Sequence, residues 1–194
     1  MKRTRFIATL GATALIGAIG VGSTFAYLTS QTEAVTNTFS VGDVEISLDE
    51  TDYDNPEGER VTENEYGNLV PGQTVVKDPT VHVEKDSVES YVFMTVEGVH
   101  YDEEHQILYT DDLKTDKINT AWTYVSETEG VLLFKHAPVP AATEEKDLEP
   151  LFEEVTVKEE VEESGELTPI IVKAYAIQKY GFENAESAAE ELGL

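Results

Sequence analysis

The chain has 194 residues, a formal net charge of −26 and no cysteine. Such an acidic surface repels nucleic acid and anionic lipid, which excludes both as natural partners. Without cysteine there is neither a disulfide framework nor a thiol nucleophile, so stability must come from core burial.

The N-terminus has the pattern of an export signal. Lys2, Arg3 and Arg5 form a positive region, residues 6–21 are apolar and uncharged, and Thr24-Phe25-Ala26 is a small-x-small cleavage site. Cleavage is expected between Ala26 and Tyr27. The competing reading is a retained membrane anchor, weakened as a helix by Gly11, Gly17, Gly20 and Gly22. We divide the chain into a signal peptide (1–26), an N-terminal arm (27–41) and a folded domain (42–194). Removing the leader takes away three basic residues, leaving 168 residues with 39 acidic and 10 basic side chains, formally −29. One domain with a substantial core fits that length. Export without cysteine suits a bacterium with a single membrane.

The arm has few large apolar residues before Asn37. Phe39 and Val41 then share one strand parity, while Val44, Ile46 and Leu48 share the other. A period-2 strand changes face only through an extra residue, which Gly42-Asp43 would supply as a bulge. Residues 49–63 read as an acidic loop. Its Asp52-x-Asp54 spacing and Glu63 invite an EF-hand comparison, but Pro56 and Glu57 stand where a ligand and the turn glycine belong. A solvated acidic loop is the plain reading and a looser Ca²⁺ site the alternative; no other cofactor is expected.

Val70-Pro71-Gly72-Gln73 predicts a type II turn. Strands follow at 74–76 and 80–84, with Pro79 marking an edge or a strand start. Residues 90–96 (SYVFMTV) are apolar on both faces and predict a buried central strand. Residues 107–109 suggest a short strand and 112–118 a helical turn. A hairpin is expected from 121–126 and 131–135 around a turn at 127–130, with Trp122, Tyr124, Leu133 and Phe134 facing the core. Residues 138–150 read as loop, 151–157 as strand, 158–166 as an acidic connection, and 170–178 as a second central strand. Asn184 and Gly193 have the chemistry of helix caps around residues 185–192. About eight strands and one short helix predict an all-β fold, an antiparallel jelly-roll-like or immunoglobulin-like β-sandwich.

Catalytic signals are sparse. His82, His100, His105 and His136 are the four histidines. His100 and His105 stand five apart with no glutamate directly after the first, unlike the i, i+4 pair of a helical zinc site. No GxSxG or GxxxxGK[ST] sequence occurs. Paired carboxylates such as Glu153-Glu154 and Glu159-Glu160 are unspecific at this composition. Tyr91, Phe93, Trp122, Tyr124, Phe134 and Tyr175 fall on expected strands and read as core.

Three stretches carry a resemblance: AYLTSQTEAVTNTFSVGDVEISLDE, NLVPGQTVVKDPTVHVEKDSVESYVFMTV and IVKAYAIQKYGFENAESAAEEL. With the glycine-rich leader they make the chain resemble the TasA/camelysin family, exported by Gram-positive bacteria and released by the signal peptidase SipW. The likeness is weakest over 49–66 and 99–119. It implies a jelly-roll-like domain and a secreted, non-enzymatic fibre subunit of the biofilm matrix at the cell surface. It also implies a head-to-tail homopolymer in which residues 27–41 of one copy complete a sheet of the next, alone or with accessory matrix proteins. Phe39 and Val41 would then fill acceptor pockets lined by residues 90–96 or 170–178. Two other readings stand beside it: a camelysin-type metalloprotease using His100 and His105, and a monomeric surface adhesion domain. Assembly of such acidic subunits is expected to be favoured by acid, salt or divalent cations.

Overall fold

The structure, a computed structural model, describes residues 29–31, 43–99, 117–158 and 169–194. Within them the regular structure is antiparallel β-strand, apart from one short C-terminal helix. Ser90–Glu97 (β5) is the centre of a five-stranded sheet, ordered β1 (Thr29–Gln31), β10 (Ile171–Gln178), β5, β7 (Val131–His136), β6 (Trp122–Thr128). Its central place follows from its sequence. Val92, Met94 and Val96 enter one buried cluster, and Tyr91 and Phe93 enter another on the opposite face. A strand apolar on both faces is stable only with cover on both sides.

The first cover is a three-stranded sheet, β2 (Ile46–Asp49), β4 (Thr80–Val83) and β8 (Lys146–Asp147), in the order β2-β4-β8. Its Ile46, Val81 and Val83 join Met94, Phe134, Ala174 and Ala176 in the larger core. Each of the buried Phe, Met and Val side chains there contributes about 1.5–3 kcal/mol. The second cover is the helix α1, Ala185–Leu192. It is too short to persist alone, and it is held by its caps and by packing. Asn184 accepts from the Ser187 amide at 2.8 Å, and Gly193 closes the C-terminus in the left-handed region at φ 76°. Ala188 and Ala189, small enough for close approach, pack on Tyr91, Phe93, Leu133 and Ile177.

A two-stranded ribbon completes the set: β3 (Thr74–Val76) pairs with β9 (Glu154–Thr156). The predicted turn before β3 is present, with Gly72 at φ 79° and the Gln73 amide donating to the Val70 carbonyl at 3.0 Å. Pro79 marks the start of β4, which lies in the middle of its sheet and not at an edge.

Three expectations need correction. The β6–β7 hairpin is tighter than predicted, a two-residue turn at Glu129 (φ 52°) and Gly130 (φ 80°), because two left-handed residues match the strand twist. A bulge between Tyr124 and Ser126 sets its register. Residues 151–157 are strand only at Glu154–Thr156; Leu151 and Phe152 are fully buried without belonging to a strand. Lys146–Asp147, inside the expected loop, forms β8. The expected bulge at Gly42, the strand at 107–109, most of the helical turn at 112–118 and most of the acidic connection at 158–166 lie outside the described residues.

Candidate functional site

Two places in the fold bear on function: the outer edge of β10 and the outward face of the small sheet. β10 is hydrogen-bonded on one side to β5, in the register Tyr175↔Phe93 and Ile177↔Tyr91. On its other side lies β1, antiparallel, with Thr29↔Ile177, Ser30↔Ala176 and Gln31↔Tyr175. The sheet edge is thus occupied, over three of β10's eight residues, by the chain's own arm. The backbone groups of an edge strand have only water or another strand to bond to, so such an edge takes up extended peptide. β5, named at the sequence level as an alternative acceptor, has both edges taken, by β10 and β7. It can line a core but cannot take a further strand. Of the sequence-predicted residues, Ala26, Tyr27, Phe39 and Val41 lie outside the described residues, as do His100 and His105.

Three carboxylates of the acidic loop after β2, Asp49, Glu50 and Asp52, have partners within the fold. Asp52 accepts from the amides of Asp54 and Asn55 at 2.9 and 3.1 Å, closing a local turn. Glu50 takes the buried Lys77 ammonium at 2.7 Å. Arg60 reaches back to Asp49, Thr51, Asp78 and Thr80, so one guanidinium ties the loop to the ends of β2 and β4. Asp78 is partly buried, which alone would raise its pKa; hydrogen bonds from Thr51 and Arg60 outweigh burial and hold it below the usual aspartate value.

The outward face of the small sheet holds a group that sequence reading missed. In β4 the side chains alternate, with Val81 and Val83 inward and His82 outward. His82 stands opposite Asp147 of β8, and Asp49 is its diagonal neighbour on β2. Its Nδ1 lies 2.7 Å from Asp147 Oδ1, and its Nε2 lies 2.9 Å from Asp49 Oδ1. Burial opposes charge on this ring, but the two carboxylates more than compensate and raise the imidazole pKa. Glu145 shares the strand parity of Asp147. One ligand atom from each of His82, Glu145 and Asp147 lies within 4.8 Å of the others, and among the described residues this is the group whose ligand atoms converge. No sequence spacing signals it: these residues are 63 and 65 positions from His82, and only strand pairing unites them.

His136, at the end of β7, is the other described histidine. It packs edge-on against Trp122 at 5.0 Å, contacts the Ala137 carbonyl through Nδ1, and sets Nε2 3.5 Å from Glu149. Trp122 donates Nε1–H to the Glu149 carbonyl at 2.8 Å, so this pair anchors the segment after β8 to the large sheet. The arrangement is structural.

No family model, no curated protein and no solved structure matches this chain.

Proposed function

We propose that this chain is an exported structural subunit whose N-terminal arm couples one copy to the next in an extracellular fibre. The observation that carries this reading is the arm on the edge: residues 29–31 follow the expected cleavage point directly and lie antiparallel on β10. Three residues form few ladder bonds, and the same edge offers a longer strand from another copy more backbone partners. In that exchange Phe39 and Val41 add apolar burial of about 1.5–3 kcal/mol each. A contact made head to tail, without closing on itself, builds a filament.

In this reading the domain is jelly-roll-like. Supporting it, two antiparallel sheets share one core, and strands distant in sequence lie side by side, as in β4 with β8 and β5 with β10. The resemblance to the TasA/camelysin family points the same way, with release by a SipW-type peptidase, a place in the biofilm matrix and a non-enzymatic role.

The test compares purified chains starting at Tyr27 and at Gly42 by negative-stain electron microscopy. Filaments are expected from the first. The second should remain a folded monomer by circular dichroism and light scattering. Equal filament yield from both chains would refute strand donation, and monomers from both would refute the fibre reading.

A further inference from the structure

We propose that His82, Glu145 and Asp147 form a binding site for a divalent transition-metal ion of the zinc class on the outward face of the small sheet, with Asp49 as the residue that positions the imidazole. The site is independent of the arm and of the fibre reading.

The donor types select the class of ion. An imidazole nitrogen with two carboxylate oxygens is a mixed set that suits Zn²⁺ and its neighbours, whereas Ca²⁺ and Mg²⁺ prefer oxygen alone. The three ligand atoms already lie within 4.8 Å of one another. Around a tetrahedral ion with bonds of about 2.0 Å, neighbouring ligand atoms sit about 3.3 Å apart. His82 Nδ1 and Asp147 Oδ1 stand 2.7 Å apart and need separate only slightly. Asp147 and Glu145 are exposed and free to adjust, while His82, largely buried in mid-strand, is the fixed member. Three protein ligands leave a fourth position for water.

Behind the ring stands a carboxylate that orients it. Metal-bound histidines usually donate their other N–H to a carboxylate, which selects the tautomer and aims the lone pair. Asp49 Oδ1 lies 2.9 Å from Nε2 and fills that place, so the opposite nitrogen, Nδ1, faces the carboxylates. Asp49 is itself held by Arg60, whose guanidinium also spans Asp78 and Thr80. Arg60 thus fixes Asp49 in place against Nε2 of the ring. Glu145 and Asp147 are left as the carboxylates that meet a cation from solvent. Without metal, the ring contacts carboxylates through both nitrogens; a dication at Nδ1 would take the place of the direct Nδ1–Asp147 contact.

The ion would join β4 to the segment entering β8, a two-residue strand with only the pairs His82↔Asp147 and Val83↔Lys146. Binding should therefore stabilise the edge of the small sheet as well as occupy it.

The experiment titrates chelator-treated protein with ZnCl₂ by calorimetry at neutral pH, with CaCl₂ and MgCl₂ as parallel arms. One saturable zinc equivalent is expected, with weaker binding of Ca²⁺ and Mg²⁺. His82→Gln should abolish that equivalent. Asp49→Asn should weaken it by roughly 10- to 100-fold through loss of ring orientation. Glu145→Gln, an exposed change outside any strand, should weaken it without altering the circular dichroism spectrum. A His100→Gln/His105→Gln double variant should bind as the unaltered chain does. In that chain the imidazole NMR resonances of His82 should shift on zinc addition while those of His136 stay in place. Zinc binding that persists in His82→Gln, or His82 resonances that do not move at zinc saturation, would overturn the assignment. So would Ca²⁺ binding as tight as zinc, which would mark unspecific attraction to the acidic surface.

Discussion

If the arm is to be donated to another copy, its pairing within its own chain must be weak. β1 offers three residues to β10. Its few ladder bonds contribute about 0.5–1.5 kcal/mol each. Fixing three backbone residues costs about 3–6 kcal/mol. These terms roughly cancel, so a chain beginning at Thr32 should differ in stability from one beginning at Tyr27 by less than about 1 kcal/mol. For scale, truncating the buried Phe134 to alanine should cost about 3–5 kcal/mol. The assay is urea unfolding followed by fluorescence of Trp122, the single tryptophan, which is 2% exposed in the core. Arm removal should leave the midpoint nearly unchanged. A loss of about 3 kcal/mol or more would make β1 an integral strand of its own domain and rule out its exchange.

Two further predictions concern the scaffold. The folded-state pKa of Asp78 lies below its unfolded value, so its contribution is fully present above about pH 4 and fades as pH falls through the lowered pKa. The stability gap between the natural chain and Asp78→Asn should therefore be widest near pH 7 and close toward pH 2; a gap constant with pH would show that the charge is not its source. Gly98 sits at φ 87°, and a Cβ there would come within 1.9 Å of the Pro169 carbonyl oxygen. Thermal unfolding of Gly98→Ala should show a loss of about 2–4 kcal/mol, while Gly67→Ala, with open space around it, should stay within about 0.5 kcal/mol. Equal effects at the two glycines would contradict the close crossing.

Elements whose neighbours matter little were legible in the chain. β5 and β10 are long apolar runs, the β6–β7 hairpin has a turn glycine, and α1 is bounded by Asn184 and Gly193. Each depends on local chemistry, namely side-chain alternation, left-handed backbone at glycine, or a cap that satisfies helix-end amides. β8 was not legible, because two polar residues carry no alternation and become strand only by pairing with β4. Leu151 and Phe152 have strand-like composition yet fill the core from irregular chain, since burial selects apolarity and not backbone geometry.

By itself the sequence determined an acidic, cysteine-free chain of mostly β-strand pattern, because composition and period-2 patterning are properties of consecutive residues. Only the tertiary structure decided that residues 29–31 rest on the outer edge of β10 and that β5 has no free edge. Only strand register brings Asp49, His82 and Asp147 together across three strands. The physical reason is that backbone hydrogen bonding between strands ignores sequence distance, so neither a sheet's order nor the side chains it sets side by side is written locally.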